Sequence, residues 1–197
     1  MGEKMEPQRK PTLYEYLEAL SEGVTGEILN RQLHAQSRPS TRHAHAASRI
    51  DRSIGRGYGD SSNGPGGWWI LAEPEVHFVR DIEVAVPDLA GWRRQRMPYL
   101  PEGHRIEVVP DWVSEILSPS TTSRDREIKM PLYAYYGVRY AWLIDLVKHT
   151  LEVYRLDVDS WVGNGCFADV EPVVAPPFEA VSLDLGAFWP PPGLVTV

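Results

Sequence analysis

The chain has 197 residues, 43% of them hydrophobic and 24% charged, which suits one globular domain with a sizeable core and leaves little room for two. Its single cysteine, Cys166, excludes an intrachain disulfide and any multi-cysteine zinc site, and no apolar run approaches the roughly 20 residues that span a bilayer. A net charge of -7 argues against a protein that coats nucleic acid nonspecifically, because such binding rests on many lysine and arginine contacts to phosphate.

The average conceals an asymmetry. Arg31, Arg38, Arg42, Arg49, Arg52 and Arg56 share a stretch whose only acid is Asp51, and Arg93, Arg94 and Arg96 form a second basic cluster. Residues 171–197 contain no lysine or arginine. A locally basic face on an acidic protein is one reading, and an ordinary solvated surface is the other. The polar start and the lone cysteine lead to the expectation of a cytoplasmic protein with no membrane association.

In chain order, residues 12–20 predict a short helix with a capping box, Thr12 at the N-cap and Glu15 three residues on. Residues 25–36 read as strand. A helix is predicted over 42–55, with Ala46, Ile50 and Ile54 on one face. The glycine-rich stretch 55–67 reads as a loop with too little apolar surface to pack, hence a candidate mobile segment. Strands follow at 68–71, 76–79 and 82–86, then an arginine-rich loop over 91–103 and a strand over 106–109. After the run around Glu115 comes a helix over 125–136 with Ile128, Leu132 and Tyr135 inward and Gly137 as its C′ residue, although Pro131 sits in its middle. Residues 140–145 and 151–156 predict a hairpin, followed by proline-rich connections and a last helical turn or two over 183–189.

The chemistry concentrates in three residues. Glu115 lies in an otherwise apolar strand-like run, Val113-Ser114-Glu115-Ile116-Leu117, where a charge is costly to bury unless it is paired or holds a metal. Asp88 ends the run Ile82-Glu83-Val84-Ala85-Val86 after Pro87, and Lys129 follows on the next helix. Two carboxylates and one ammonium meet the needs of metal-assisted phosphodiester cleavage: oxygen ligands for Mg²⁺, and a fixed positive charge beside the attacking water or the phosphate. Each has a bland rival, since Asp88 also suits a turn and Lys129 an exposed helix face. His43 and His45 do not make a zinc pair, because positions i and i+2 do not share a helix face. Ser118 lacks the surroundings of a nucleophile elbow.

The segments Glu73 to His77, Pro87 to Trp92, Pro110-Asp-Trp-Val-Ser-Glu-Ile-Leu-Ser-Pro-Ser-Thr121, 125–129 and 136–145 resemble, in order, the bacterial endonuclease family called Uma-two. That family lies within the PD-(D/E)XK, or restriction-endonuclease-like, superfamily. The resemblance implies an α+β fold with a mixed sheet flanked by helices, formed by residues 11–190 between an N-terminal tail (1–10) and a C-terminal tail (191–197). It also implies Asp88 and Glu115 as ligands of Mg²⁺, with Mn²⁺ as a substitute, and Glu27 as a further carboxylate of the site. The superfamily lysine lies two residues after the second acid, where this chain has Leu117, so Lys129 is the candidate for a migrated lysine. A homodimer is a further implication.

The expected activity is Mg²⁺-dependent endonucleolytic cleavage of nucleic acid, with DNA as the favoured substrate, His43, Arg42, Arg49 and Arg52 contacting it, and the 55–67 loop lying over it. A catalytically silent nuclease-fold module for nucleic-acid binding or assembly is the alternative.

Overall fold

A computed structural model describes residues 9–59, 65–168 and 172–189. Most of both expected tails, and residues 60–64 of the glycine-rich stretch, lie outside the described residues. The first helix, α1 (Leu13–Glu18), has the expected capping box: the Glu15 N–H donates to Thr12 Oγ1 at 3.2 Å and the Thr12 N–H donates to Glu15 Oε2 at 2.6 Å. Residues 25–36 form not one strand but a hairpin, β1 (Val24–Leu29) and β2 (Gln32–Ser37). Asn30 and Arg31 make its two-residue turn at φ of 51° and 60°, the left-handed conformation that a tight hairpin requires.

Ser40 caps α2 (Thr41–Ile54), which buries Ala46, Ile50 and Ile54 as its periodicity predicts. The chain then continues into a π-turn at Gly55–Gly59 rather than a loose loop. Gly57 and Tyr58 are buried there, and the Tyr58 hydroxyl accepts a hydrogen bond from the Ala180 N–H at 2.9 Å. A Cβ on Gly57 would lie 2.5 Å from Val181, so this packing depends on glycine.

Strands β3 (Trp68–Ala72), β4 (Glu75–Val79), β5 (Glu83–Ala85), β6 (Leu89–Arg93), β7 (Arg105–Ile106) and β8 (Trp112–Leu117) follow. The expected 91–103 loop therefore begins as buried strand. Gly91 escaped the apolar pattern because its role is to let Ile70, Trp68 and Trp112 approach within 3.1–3.2 Å of where a Cβ would sit. A crossover carries the chain from β8 through α3 (Thr122–Arg124), a second π-turn (Asp125–Lys129) and α4 (Met130–Tyr135) to β9 (Tyr140–Asp145). Then come β10 (Thr150–Asp157), β11 (Ser160–Ala168), the short pair β12 (Pro172–Val173) and β13 (Leu183–Asp184), and a closing 3₁₀ turn at Leu185–Ala187. Strand β11 went unread in the sequence because, on an exposed sheet edge with Gly163 and Gly165, it buries little apolar surface.

One sheet has the order β2-β1-β5-β4-β7 and the other β11-β10-β9-β8-β6-β3. In the second sheet only β8 and β9 are described as a parallel pair, and the helical crossover joins them. One face, with Trp112, Ile116 and Trp142, packs on α2 and the segment around Phe178. The other, with Val113, Leu117 and Leu143, packs on α4. This is the mixed α+β architecture expected. Among the described residues no helix is long and apolar enough to cross a membrane.

Candidate active site

The site forms where β6, β8, the crossover and β1 meet. Strand β6 runs antiparallel to β8 with Leu89 opposite Ser114, so the residue before β6 arrives beside Glu115. That residue is Asp88, at the start of a strand rather than at the end of one. Its Oδ2 accepts a hydrogen bond from the Ile116 N–H at 2.7 Å, which ties the two strands together at the site. Glu115 lies on the β8 face that turns toward α4, where Val113 and Leu117 are packed.

The residue two beyond Glu115 on its own strand is Leu117, and Lys129 reaches that face from the crossover. Its Nζ donates to Glu115 Oε1 at 2.8 Å, Glu27 Oε1 at 3.0 Å and the Val86 carbonyl at 3.2 Å, so each of its three protons has an acceptor. Glu27, on β1, also accepts from the Val86 N–H at 2.9 Å. Tyr133 completes the floor by donating its hydroxyl to Glu115 Oε1 at 2.5 Å.

The π-turn places Lys129. The Met130 N–H bonds five residues back to the Asp125 carbonyl, and this wider turn inserts one residue into the helical phase. Asp125 and Lys129 therefore both point inward, and Tyr133 follows four residues later. The expected inward face changes accordingly: Leu132 is buried, but Tyr135 is 82% exposed. Pro131 falls in the first turn of α4, where a missing N–H costs little.

Glu27, Glu115, Asp125 and Lys129 are at most 3% exposed. Burial alone would lower the Lys129 pKa, but Glu115, Glu27, Asp125 and Asp88 outweigh it and hold the ammonium above the ordinary lysine value. Burial pushes the Glu115 carboxyl well above its usual range; Lys129 opposes this, while Asp125, Asp88 and Glu27 add to it. Burial raises Asp125 as well, against the pull of Lys129 and a Thr121 hydrogen bond. Four carboxylates thus crowd one ammonium. Glu27 Oε2 is buried without a hydrogen-bond partner.

Among the described residues no three His, Cys, Asp or Glu side chains stand in a metal-ligating arrangement. Mg²⁺ does not require three, since it keeps several waters and is commonly held by one or two carboxylates plus substrate phosphate. The hard oxygen donors of Asp88 and Glu115, and the surplus of negative charge around them, fit such an ion.

Above the floor opens a cavity of about 650 Å³, lined by Asp88, Glu115, Asp125 and Lys129 together with Arg38, His43, Ser118, Ser120, Thr121 and Arg124. His43 belongs to this group: its Nε2 lies 3.1 Å from Asp88 Oδ2, and although burial disfavours its charge, Asp88 outweighs that and raises its pKa. Arg42, Arg49 and Arg52 are exposed and do not line this cavity. Arg52 borders a different one, with Arg56, Arg94, Trp68 and Trp69. Three residues escaped the sequence reading, Arg124, Asp125 and Tyr133. The last two stand four residues to either side of Lys129, a spacing that puts all three on one helical face, and that shared face was the signal that could have found them.

Residues 13–186 match the model of the Uma2 family, described as "Putative restriction endonuclease". A crystal structure from Anabaena variabilis ATCC 29413, described as that of a putative nuclease belonging to DUF820, is 22% identical to this chain; the alignment covers 91% of this chain and 98% of that one, with a TM-score of 0.71. Nothing matches among curated proteins. At that identity the structure supports the fold, and the family match, which spans most of the chain, shows that this protein belongs to the Uma2 family.

Proposed function

We propose that this protein is an endonuclease that hydrolyses phosphodiester bonds of DNA with the help of Mg²⁺, for which Mn²⁺ can substitute. The observation that carries the reading is Lys129 Nζ held between Glu27 and Glu115 at 3.0 and 2.8 Å, beside Asp88, at the bottom of a cavity open to substrate. Membership of a family described as "Putative restriction endonuclease" supports it. Asp88 and Glu115 would hold the metal, which would lower the pKa of a water and offset charge on the phosphate.

The rest of the work falls to the protein. Lys129, held charged by its carboxylate neighbours, orients the attacking water and faces the charge that develops on the phosphate oxygens. Its position is set in advance by three acceptors, so little reorganisation is needed when the substrate arrives. Glu27 keeps Lys129 in place from the opposite sheet, and Tyr133 fixes the Glu115 carboxylate with a hydrogen bond. His43 holds Asp88. Arg42, Arg49 and Arg52, exposed on α2, contribute a local positive field that draws a polyanion toward an otherwise acidic protein.

The test is a panel of single-stranded, duplex and branched DNA and of RNA, incubated with Mg²⁺ or Mn²⁺, with Glu115→Ala as the control for contaminating nuclease. Cleavage of DNA that vanishes in Glu115→Ala is the expected result. Cleavage of none of the substrates by folded protein would turn the assignment to the silent binding or assembly module.

A further inference from the structure

Three of the four reactive groups lie deep: Glu27, Glu115 and Lys129 are at most 2% exposed, whereas the Asp88 side chain is 16% exposed, so a phosphate must enter the cavity past Asp88 to approach the others. At about 650 Å³ the space is of the size that receives a small organic ligand, about 300–1,000 Å³. Its two walls come from distant parts of the chain, β2 with the start of α2 on one side and the 118–124 segment on the other. They also touch: Arg124 Nη2 donates a hydrogen bond to Gln36 Oε1 from one wall to the other. A space of this volume, bridged by that contact, has room for a strand of one or two nucleotides and not for a stacked duplex.

Arg124 has the chemistry of a phosphate seat. Its side chain is 16% exposed, its Nε is buried without a hydrogen-bond acceptor, and that Nε lies 3.8 Å from Glu27 Oε2, which is likewise without a hydrogen bond. A guanidinium fork bridging a carboxylate loosely has donors to spare for an incoming phosphate oxygen, the ligand it matches best. Beside it Ser118 Oγ lies 3.1 Å from Ser120 Oγ and 3.0 Å from Thr121 Oγ1, a group of hydroxyls that can rotate to donate to the same anion. Arg38, exposed at the opposite rim, supplies a second positive charge for a neighbouring phosphate.

We propose, resting on the nuclease reading, that the cavity accepts one unpaired DNA strand, with Arg124 seating a phosphate beside the scissile one. A closed duplex must first release a nucleotide from its stack, which slows its cleavage relative to a strand already unpaired. Two substrates without ends isolate this effect, a single-stranded DNA circle and a relaxed, covalently closed duplex circle, incubated with Mg²⁺. Binding is measured separately with a short fluorescent oligodeoxythymidine in EDTA.

The single-stranded circle should be opened at least about tenfold faster than the duplex circle. Arg124→Gln should weaken oligodeoxythymidine binding about tenfold, the loss of a charge-assisted contact. It should also flatten the log-log salt dependence by about 0.7, the value of one phosphate on a single strand. Arg124→Lys, which keeps the charge but not the fork, should fall between. Equal cleavage of the two circles overturns the proposal and leaves the nuclease reading standing; an Arg124→Gln protein that binds and cleaves like the wild type overturns the seat. Arg124-dependent binding of the oligonucleotide without cleavage of any DNA supports the seat and overturns the nuclease reading, and absence of both binding and cleavage overturns both.

Discussion

Lys129 Nζ lies 2.8 Å from Glu115 Oε1, although the position two residues beyond Glu115 on its own strand face belongs to Leu117, which is packed with Val113 and Leu132. The cation beside Glu115 comes from the crossover, and the strand position two residues beyond Glu115 belongs to the core. A consequence is that Lys129 carries structure as well as charge. Lys129→Met strands Glu27 and Glu115 as buried acids, and breaking a buried pair in this way costs about 3–5 kcal/mol, measurable by urea unfolding at neutral pH. Adding Glu27→Gln should recover part of that loss. It should not restore turnover, which stays lower by about 10²-fold or more without the positioned charge. Wild-type cleavage in the folded double variant would remove Lys129 from the chemistry.

If the proposed site binds a metal, the crowding of four carboxylates around it should make that ion a stabiliser of the fold. An ion that binds only the native state adds about 2.7 kcal/mol at a hundred times its Kd, and for a domain of this size each kcal/mol raises Tm by about 2–4 °C. Mg²⁺ or Mn²⁺ should therefore raise the Tm of the wild type by about 5–10 °C near saturation. The Asp88→Ala, Glu115→Ala double variant should show no such rise. A rise of equal size in that variant would place the ion elsewhere.

The sequence carried the parts of this site that depend on short-range pattern. A lone acid in an apolar run marked Glu115, the periodicity of α2 marked its buried face, and the Thr12–Glu15 capping box marked the start of α1. What it did not carry depends on geometry over distance. The β1–β2 hairpin needs Asn30 and Arg31 at positive φ, Gly91 is defined only by the tryptophans it admits, and β11 is an edge strand with few buried side chains. The crossover was misread for a separate reason. A periodic reading assumes a constant phase, and the π-turn at Asp125–Lys129 shifts that phase by one residue, turning Tyr133 inward and Tyr135 outward.

That phase shift has a direct test. Tyr135 is 82% exposed, so Tyr135→Ser should change unfolding free energy by no more than about 0.5 kcal/mol. Tyr133 is fully buried and donates to Glu115, so Tyr133→Phe leaves a buried carboxylate short of a donor and should cost about 1–3 kcal/mol. The unshifted helix predicts the reverse order of sensitivity. Chemical denaturation of the two variants side by side distinguishes them.

The last prediction couples pH to the metal. Glu115 and Asp125 have raised pKa values in the folded protein, chiefly through burial, so the native state retains protons that the unfolded chain releases above the ordinary carboxylate range. Stability therefore falls as pH rises from about 4.5 through their folded values. His43 acts with the same sign: burial opposes its charge, Asp88 outweighs it, and the stability this gives is complete below the ordinary value of 6.5 and lost as pH rises through the raised one. The acids held low, Glu15, Asp145 and Glu152, act in the opposite sense, but below about 4.5. In EDTA the Tm should thus be lower at pH 8 than at pH 5. Mg²⁺ binds the ionised carboxylates and must displace the protons held at pH 5, so the Tm increase on adding it should be larger at pH 8. Calorimetric scans at the two pH values, with and without Mg²⁺, make the comparison, and a metal-induced shift of the same size at both would show that the buried carboxylates are not where the ion binds.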